Sequence, residues 1–112
     1  MSPLRDDFLI RQAQAIAAIL ARVMGLRLEG DLEHARAGLE EAYGMLLGAQ
    51  SGLIRRVDSA TVVKLIGSSE KTLAFASLLA EEAEQEPDEG RKTMLRARAA
   101  ELKTLVESKE PR

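Results

Sequence analysis

Apolar residues recur at helical spacing along nearly the whole chain, and the pattern divides into five segments. The first runs from Asp6 to about Leu28. Its stripe is Leu9, Ile10, Ala13, Ile16, Ala17, Leu20, Val23, Met24 and Leu28, and Phe8, Ala15, Ile19 and Leu26 widen it on one side. Only a narrow polar strip remains, made by Arg11, Gln14, Arg22 and Glu29. A short helix that is apolar round most of its circumference cannot bury itself against one neighbour. Two readings follow: a central helix covered by the others, or a helix that also forms a homodimer seam. The seam would fall on Phe8, Ile16, Ile19, Leu20, Val23 and Leu26.

Asp6 or Asp7 is placed to cap this helix, and Gly30-Asp31 to end it and start the next. The second helix reaches about Leu47, with Leu32, Ala35, Leu39, Ala42, Tyr43 and Leu46 on its apolar face. Gly48-Ala49-Gln50-Ser51-Gly52 reads as the clearest linker, with Leu53-Ile54 as an anchor after it. A short third helix, Ala60–Ile66, is capped by Asp58 or Ser59 and presents Val62, Val63, Leu65 and Ile66. Gly67-Ser68-Ser69 stops it. The fourth helix spans Glu70 to Gln85, with Leu73, Ala76, Leu79, Ala80 and Ala83 inward and Phe75 and Leu78 flanking. After the turn at Pro87-Asp88-Glu89-Gly90, the fifth runs to about Glu107, with Leu95, Ala99, Leu102, Leu105 and Val106 inward.

The expected fold is all-α: two antiparallel helical hairpins in one domain, residues 1–48 and 68–107, joined by residues 49–67 as linker and short helix. The chain's 112 residues suit a single domain. Aromatics are 3% of residues, so the core is built from aliphatic side chains and alanines. Net charge is −2, with both signs interspersed, which gives no electrostatic footprint for nucleic acid. The absence of cysteine removes disulfides, thiolate catalysis and cysteine-ligated zinc. It is compatible with a reducing cytosol. No signal-peptide pattern and no uninterrupted run of about 18 apolar residues is seen. The expectation is a cytoplasmic protein with no membrane contact.

The stretch Glu29-Gly30-Asp31-Leu32-Glu33-His34-Ala35, with Leu39 and Ala42, resembles the second half of a tetratricopeptide (TPR) repeat. There a Gly-Asp turn leads into a helix whose small residues let two helices approach closely. Arg22 and Val23 depart from the repeat's Leu and Gly, and Leu47 from its closing proline. The opening Asp6-Asp7-Phe8-Leu9-Ile10-Arg11-Gln12 resembles a family of small uncharacterised bacterial proteins with a degenerate TPR-like C-terminal half. These resemblances imply a fold and no particular activity.

Candidate chemistry is sparse. His34 is the single histidine; with Asp31 it has carboxylate–imidazole spacing, but a helical metal site needs ligands from several helices, so a solvated histidine is expected. The acidic run Glu81, Glu82, Glu84, Glu86, Asp88 and Glu89 resembles the magnesium carboxylates of all-helical nucleotide pyrophosphohydrolases, although a solvated helix end explains it. Arg55-Arg56, with Lys64 and Lys71, accompanies a helix-turn-helix outline in helices 3 and 4. Arg91, Lys92, Arg96, Arg98 and Lys103 form a second basic strip. Its charges are expected to pair at the surface, Arg98 with Glu101 and Arg91 with the acidic run, and it could hold an acidic partner. No phosphate loop or nucleophile motif occurs. The reading is a non-enzymatic, TPR-like protein-interaction module without cofactor, self-associating through helix 1. The alternatives are a small nucleic-acid-binding regulator using helices 3 and 4, or a magnesium-dependent pyrophosphohydrolase-like enzyme.

Overall fold

The structure, a computed structural model, describes residues 3–109, with side chains from 7 to 108. Among these residues the regular structure is entirely helical: α1 Pro3–Leu28, α2 Leu32–Leu47, a 3-10 turn Gly48–Gln50 leading into α3 Ser51–Ile54, α4 Ser59–Ile66, α5 Ser69–Gln85 and α6 Glu89–Lys109. Proline is tolerated as a first helical residue because its missing N–H would have no partner there. The helix thus starts ahead of the expected Asp6/Asp7 cap: Asp7 lies inside it, and the side chain of Asp6 is outside those described.

The breaks follow from local chemistry. Gly30 takes a φ of 87°, and the amides of Gly30 and Asp31 close on the carbonyls of Arg27 and Leu26, the Schellman arrangement. Asp31 then accepts the amide of His34 and caps α2, so two helices meet with almost no loop. Asp58 accepts the amide and hydroxyl of Thr61 and caps α4. Gly67, left-handed at φ 71°, ends α4, and Ser68 caps α5 by accepting from Lys71 N. Asp88 accepts from Arg91 N at the start of α6. The expected Gly48–Gly52 linker is mostly helical, and of its two anchors only Ile54 is buried, Leu53 being exposed.

Consecutive long helices pack side by side, α1 with α2 and α5 with α6. Gln12 reaches Met45 while the Cβ position of Gly38 abuts Val23, so α1 and α2 run in opposite directions. Thr72 shares a surface with Val106, and Leu79 with Leu95, giving α5 and α6 the same relation. The pairs join where α5 packs against α1 and α2. The molecule measures 43 × 28 × 28 Å. At about 1.5 Å per residue, the 26 residues of α1 span most of its long dimension.

The central helix is α5, which touches α1, α2, α4 and α6. Phe75 and Leu78, expected at the flanks, are fully buried, and Leu73, expected inward, is exposed. Phe75 meets Tyr43 edge to face at 6.0 Å between centroids, a geometry set by ring quadrupoles. The centrality expected of α1 is not observed. It packs chiefly on α2 and α5, burying Ile16 and Val23, with Ile19, Leu20 and Leu26 partly covered against the core. Two of the proposed seam positions, Ile16 and Val23, therefore belong to the interior.

Candidate interaction surfaces

The side of α1 away from α2 and α5 remains uncovered. Ile10 is 54% exposed, Met24 42% and Leu28 77%. Ala13, Ala17 and Ala21 between them are exposed too. At 100° per residue these positions lie within one strip of the helix, about 110° from Ile16 and Val23, whereas Phe8, 60% exposed, falls on the other flank of the buried face. The segment Asp7–Leu28 is long and apolar enough to cross a membrane by length and composition, and 11% of its most apolar window is buried. The expectation of no such segment rested on an uninterrupted apolar run; here isolated arginines punctuate an otherwise apolar helix. Single exposed aliphatic residues are ordinary, but a contiguous strip marks a contact surface.

Polar side chains fix α1 to the rest of the protein. Arg27 binds Glu81 through two hydrogen bonds, Nε to Oε2 at 2.8 Å and Nη2 to Oε1 at 3.2 Å. Glu81 is 4% exposed and also accepts from Gln85 Nε2. The hydrogen bond to Glu81 raises the pKa of the Arg27 guanidinium above its usual value. A buried carboxylate is tolerated only with such partners. Arg22 reaches Glu41 at the surface, where the pair contributes little.

A second network lies around Glu82. Its carboxylate accepts from the Tyr43 hydroxyl at 2.7 Å, from Arg55 at 3.3 Å and from Arg91 at 3.2 Å. Burial, followed by the charge of Glu82, pushes the Tyr43 phenol far above its usual range, so it remains a donor. The Arg55 guanidinium lies 4.0 Å over the Tyr43 ring and is bidentate to Glu40. Burial is the largest single influence and opposes its charge, but the bond to Glu40 together with the charges of Glu82 and Glu40 and the Tyr43 phenol raises the pKa. Arg91 also binds Glu86 at 2.8 Å.

The acidic run is therefore not a solvated helix end. Glu81, Glu82, Glu84 and Glu86 are each engaged by arginine, Glu89 lies near Lys92, and Asp88 caps α6. Glu84 is held below the usual carboxylate range chiefly by its hydrogen bond from Arg96. No group of three or more metal-ligating side chains converges among the described residues. His34 is exposed, its Nδ1 2.8 Å from Asp31 Oδ2. The amide of His34, then its ring, holds the Asp31 carboxyl low. The would-be recognition helix, α5, is the core helix, with only Glu70, Leu73 and Glu84 exposed. Arg98, expected to pair with Glu101, instead donates from Nη2 to the carbonyls of Ile54 and Val57, tying α6 to the residues around the end of α3.

Sequence reasoning missed Arg27 and Glu81 as interior residues. The signal was present in α1, since Arg27 continues the spacing of Ile16 and Val23 onto the buried face. Compared with known proteins, the chain matches no family model, no curated protein and no solved structure.

Proposed function

We propose that this protein is a non-enzymatic helical interaction module that self-associates through the outer face of α1. The observation that carries the reading is the uncovered apolar strip of that helix. Ile10, Gln14, Ala17, Ala21, Met24 and Leu28 alternate steps of four and three residues, the seam spacing of a two-helix coil, and all are exposed. Laid antiparallel on a second copy, the strip sets Ile10 opposite Leu28 of that copy and Ala17 opposite Ala21. The alanines permit close approach where the axes cross. Arg11 and Glu29 share one flank, so in an antiparallel pair they face one another across the rim. The protein's two helical pairs are, on this reading, degenerate tetratricopeptide-type hairpins. Burial of Ala35, Leu39 and Ala42 on α2 supports the likeness.

Full burial of a large aliphatic side chain contributes about 1.5–3 kcal/mol. Ile10, Met24 and Leu28 are already partly covered, and association costs roughly 4–15 kcal/mol. The dimer is accordingly concentration-dependent. Light scattering after gel filtration is expected to give twice the chain mass at high concentration. Met24→Glu and Leu28→Glu are expected to return the chain mass under the same conditions with helix content unchanged. Ile19→Glu does not test this seam, because Ile19 packs against the core. A parent that stays monomeric at every concentration, or a Leu28→Glu protein as dimeric as the parent, overturns the reading.

A second reading is favoured by the length and composition of α1: its outer face lies on a lipid surface. Co-sedimentation with phosphatidylcholine vesicles, abolished by Leu28→Glu, would favour it over self-association. The Arg27–Glu81 pair keeps α1 attached to α5 in either case.

A further inference from the structure

Arg55 and Arg56 follow α3, and Arg91 and Arg98 lie on α6; in sequence they belong to separate basic stretches. Folding joins them. All four line one groove, whose apolar surface comes from Leu79, Leu95 and the exposed Met94 and whose one carboxylate is Glu82. This groove continues into another beside α2, which shares Arg55, Glu82 and Arg91 and adds Arg36, Glu40 and Glu86. No residue of α1 lines either part.

Five arginines thus face three glutamates. The glutamates are all engaged: Glu82 by Tyr43, Arg55 and Arg91, Glu40 by Arg55, and Glu86 by Arg91. Three of the five, Arg36, Arg56 and Arg98, have no carboxylate partner among the described residues. Arg56 donates Nε to the Gly52 carbonyl, and its two terminal nitrogens have no hydrogen-bond partner among the described residues. Arg98 donates to backbone carbonyls, and its buried Nε has no partner. Neutral carbonyls do not offset a guanidinium's charge, and the half-buried Arg98 is less screened than a group in open water. The surplus is positive, elongated and lined by aliphatic groups.

We infer that this groove binds an extended peptide segment of a partner protein in which acidic side chains alternate with aliphatic ones. Discrete carboxylates can meet Arg56 and Arg98, which no glutamate engages. An aliphatic residue between them covers Met94, whose unbranched side chain adapts to different shapes. A nucleic-acid strand fits less well. Its continuous phosphates would meet Glu40, Glu82 and Glu86, and Tyr43 and Phe75 are both fully buried, so neither ring is open for base stacking. The inference extends the interaction-module reading to a second surface and does not depend on α1 pairing.

The test uses the full chain and a fluorescein-labelled peptide of alternating glutamate and leucine, followed by anisotropy. Saturable binding is expected, weakening with added salt and absent for the glutamine–leucine counterpart. Arg56→Glu is expected to weaken binding about tenfold or more, the scale of one charged hydrogen bond. Lys103→Glu, exposed on α6 outside the groove, makes the same charge change and is expected to have little effect. Leu28→Glu should bind as the parent does, which separates this surface from the α1 seam. Absence of saturable peptide binding overturns the inference, as does an Arg56→Glu protein that binds like the parent. A single-stranded oligonucleotide that binds more tightly than the peptide overturns it in favour of a nucleic-acid surface.

Discussion

The helices α1 and α5 are both long and rich in Leu and Ala, yet they occupy opposite situations. α5 carries two large, fully buried side chains in its middle, Phe75 and Leu78, and packs against α1, α2, α4 and α6. α1 carries the wider apolar surface and leaves much of it in water. The width of an apolar stripe therefore reports how much covering a helix can use, not how much it receives from its own chain. α5 becomes central because it is reached from both sides: α6 returns along it after a three-residue turn, and the α1–α2 pair closes over another face. α1 packs on α2 and α5, and no element among the described residues covers its far side.

The sharpest way to probe that contrast is one residue type in both helices. Phe75→Ala removes a fully buried ring and is expected to destabilise the protein by about 3–5 kcal/mol. Phe8→Ala should change stability by less than about 0.5 kcal/mol, since that ring is 60% exposed. Chemical denaturation of both variants measures the difference, and equal losses would mean that α1 is as enclosed as α5. Nearly as large an effect is expected where the two helices meet. Arg27→Met leaves Glu81 buried without its cation, for a loss of about 3–5 kcal/mol. Arg27→Met with Glu81→Met is expected to recover most of it, because the cost lies in the stranded charge. If the double variant is no better than the single one, the pair is not the main tie between α1 and α5.

The smallest contrast lies within α2, between a glycine under α1 and one clear of it. A Cβ at Gly38 would lie 2.7 Å from Val23 Cγ2, whereas one at Gly44 meets nothing within 4 Å. Gly38→Ala is expected to lose about 1–3 kcal/mol through overpacking. Gly44→Ala is expected to gain about 0.5–1 kcal/mol from helix propensity alone. Thermal melts giving the same sign for both would show that α1 and α2 can separate slightly to admit a methyl group.

Much of the fold was legible because the signals were local. Asp31, Asp58, Ser68 and Asp88 cap helices where their side chains reach an amide three residues on, and Gly30 and Gly67 end helices where only a left-handed residue fits. Buried Ala35, Leu39, Ala42, Tyr43 and Leu46 follow the periodicity of α2, and Leu95, Ala99, Leu102 and Val106 that of α6. The interaction surfaces were less legible. Ile16 and Val23 look like seam residues beside Ile19 and Leu20, because a stripe covering most of a helix has no phase with which to choose its buried side.

The sequence by itself determined the long helices, most of their ends and the all-α class, since each depends on contacts within a turn or two. Only the tertiary structure decided which helix is central, that Glu81 and Arg27 meet across 54 residues of chain, and that the arginines after α3 and those on α6 share a groove. Those outcomes depend on where separate helices lie in space. Periodicity along one helix fixes its faces but carries no information about which neighbour each face will meet.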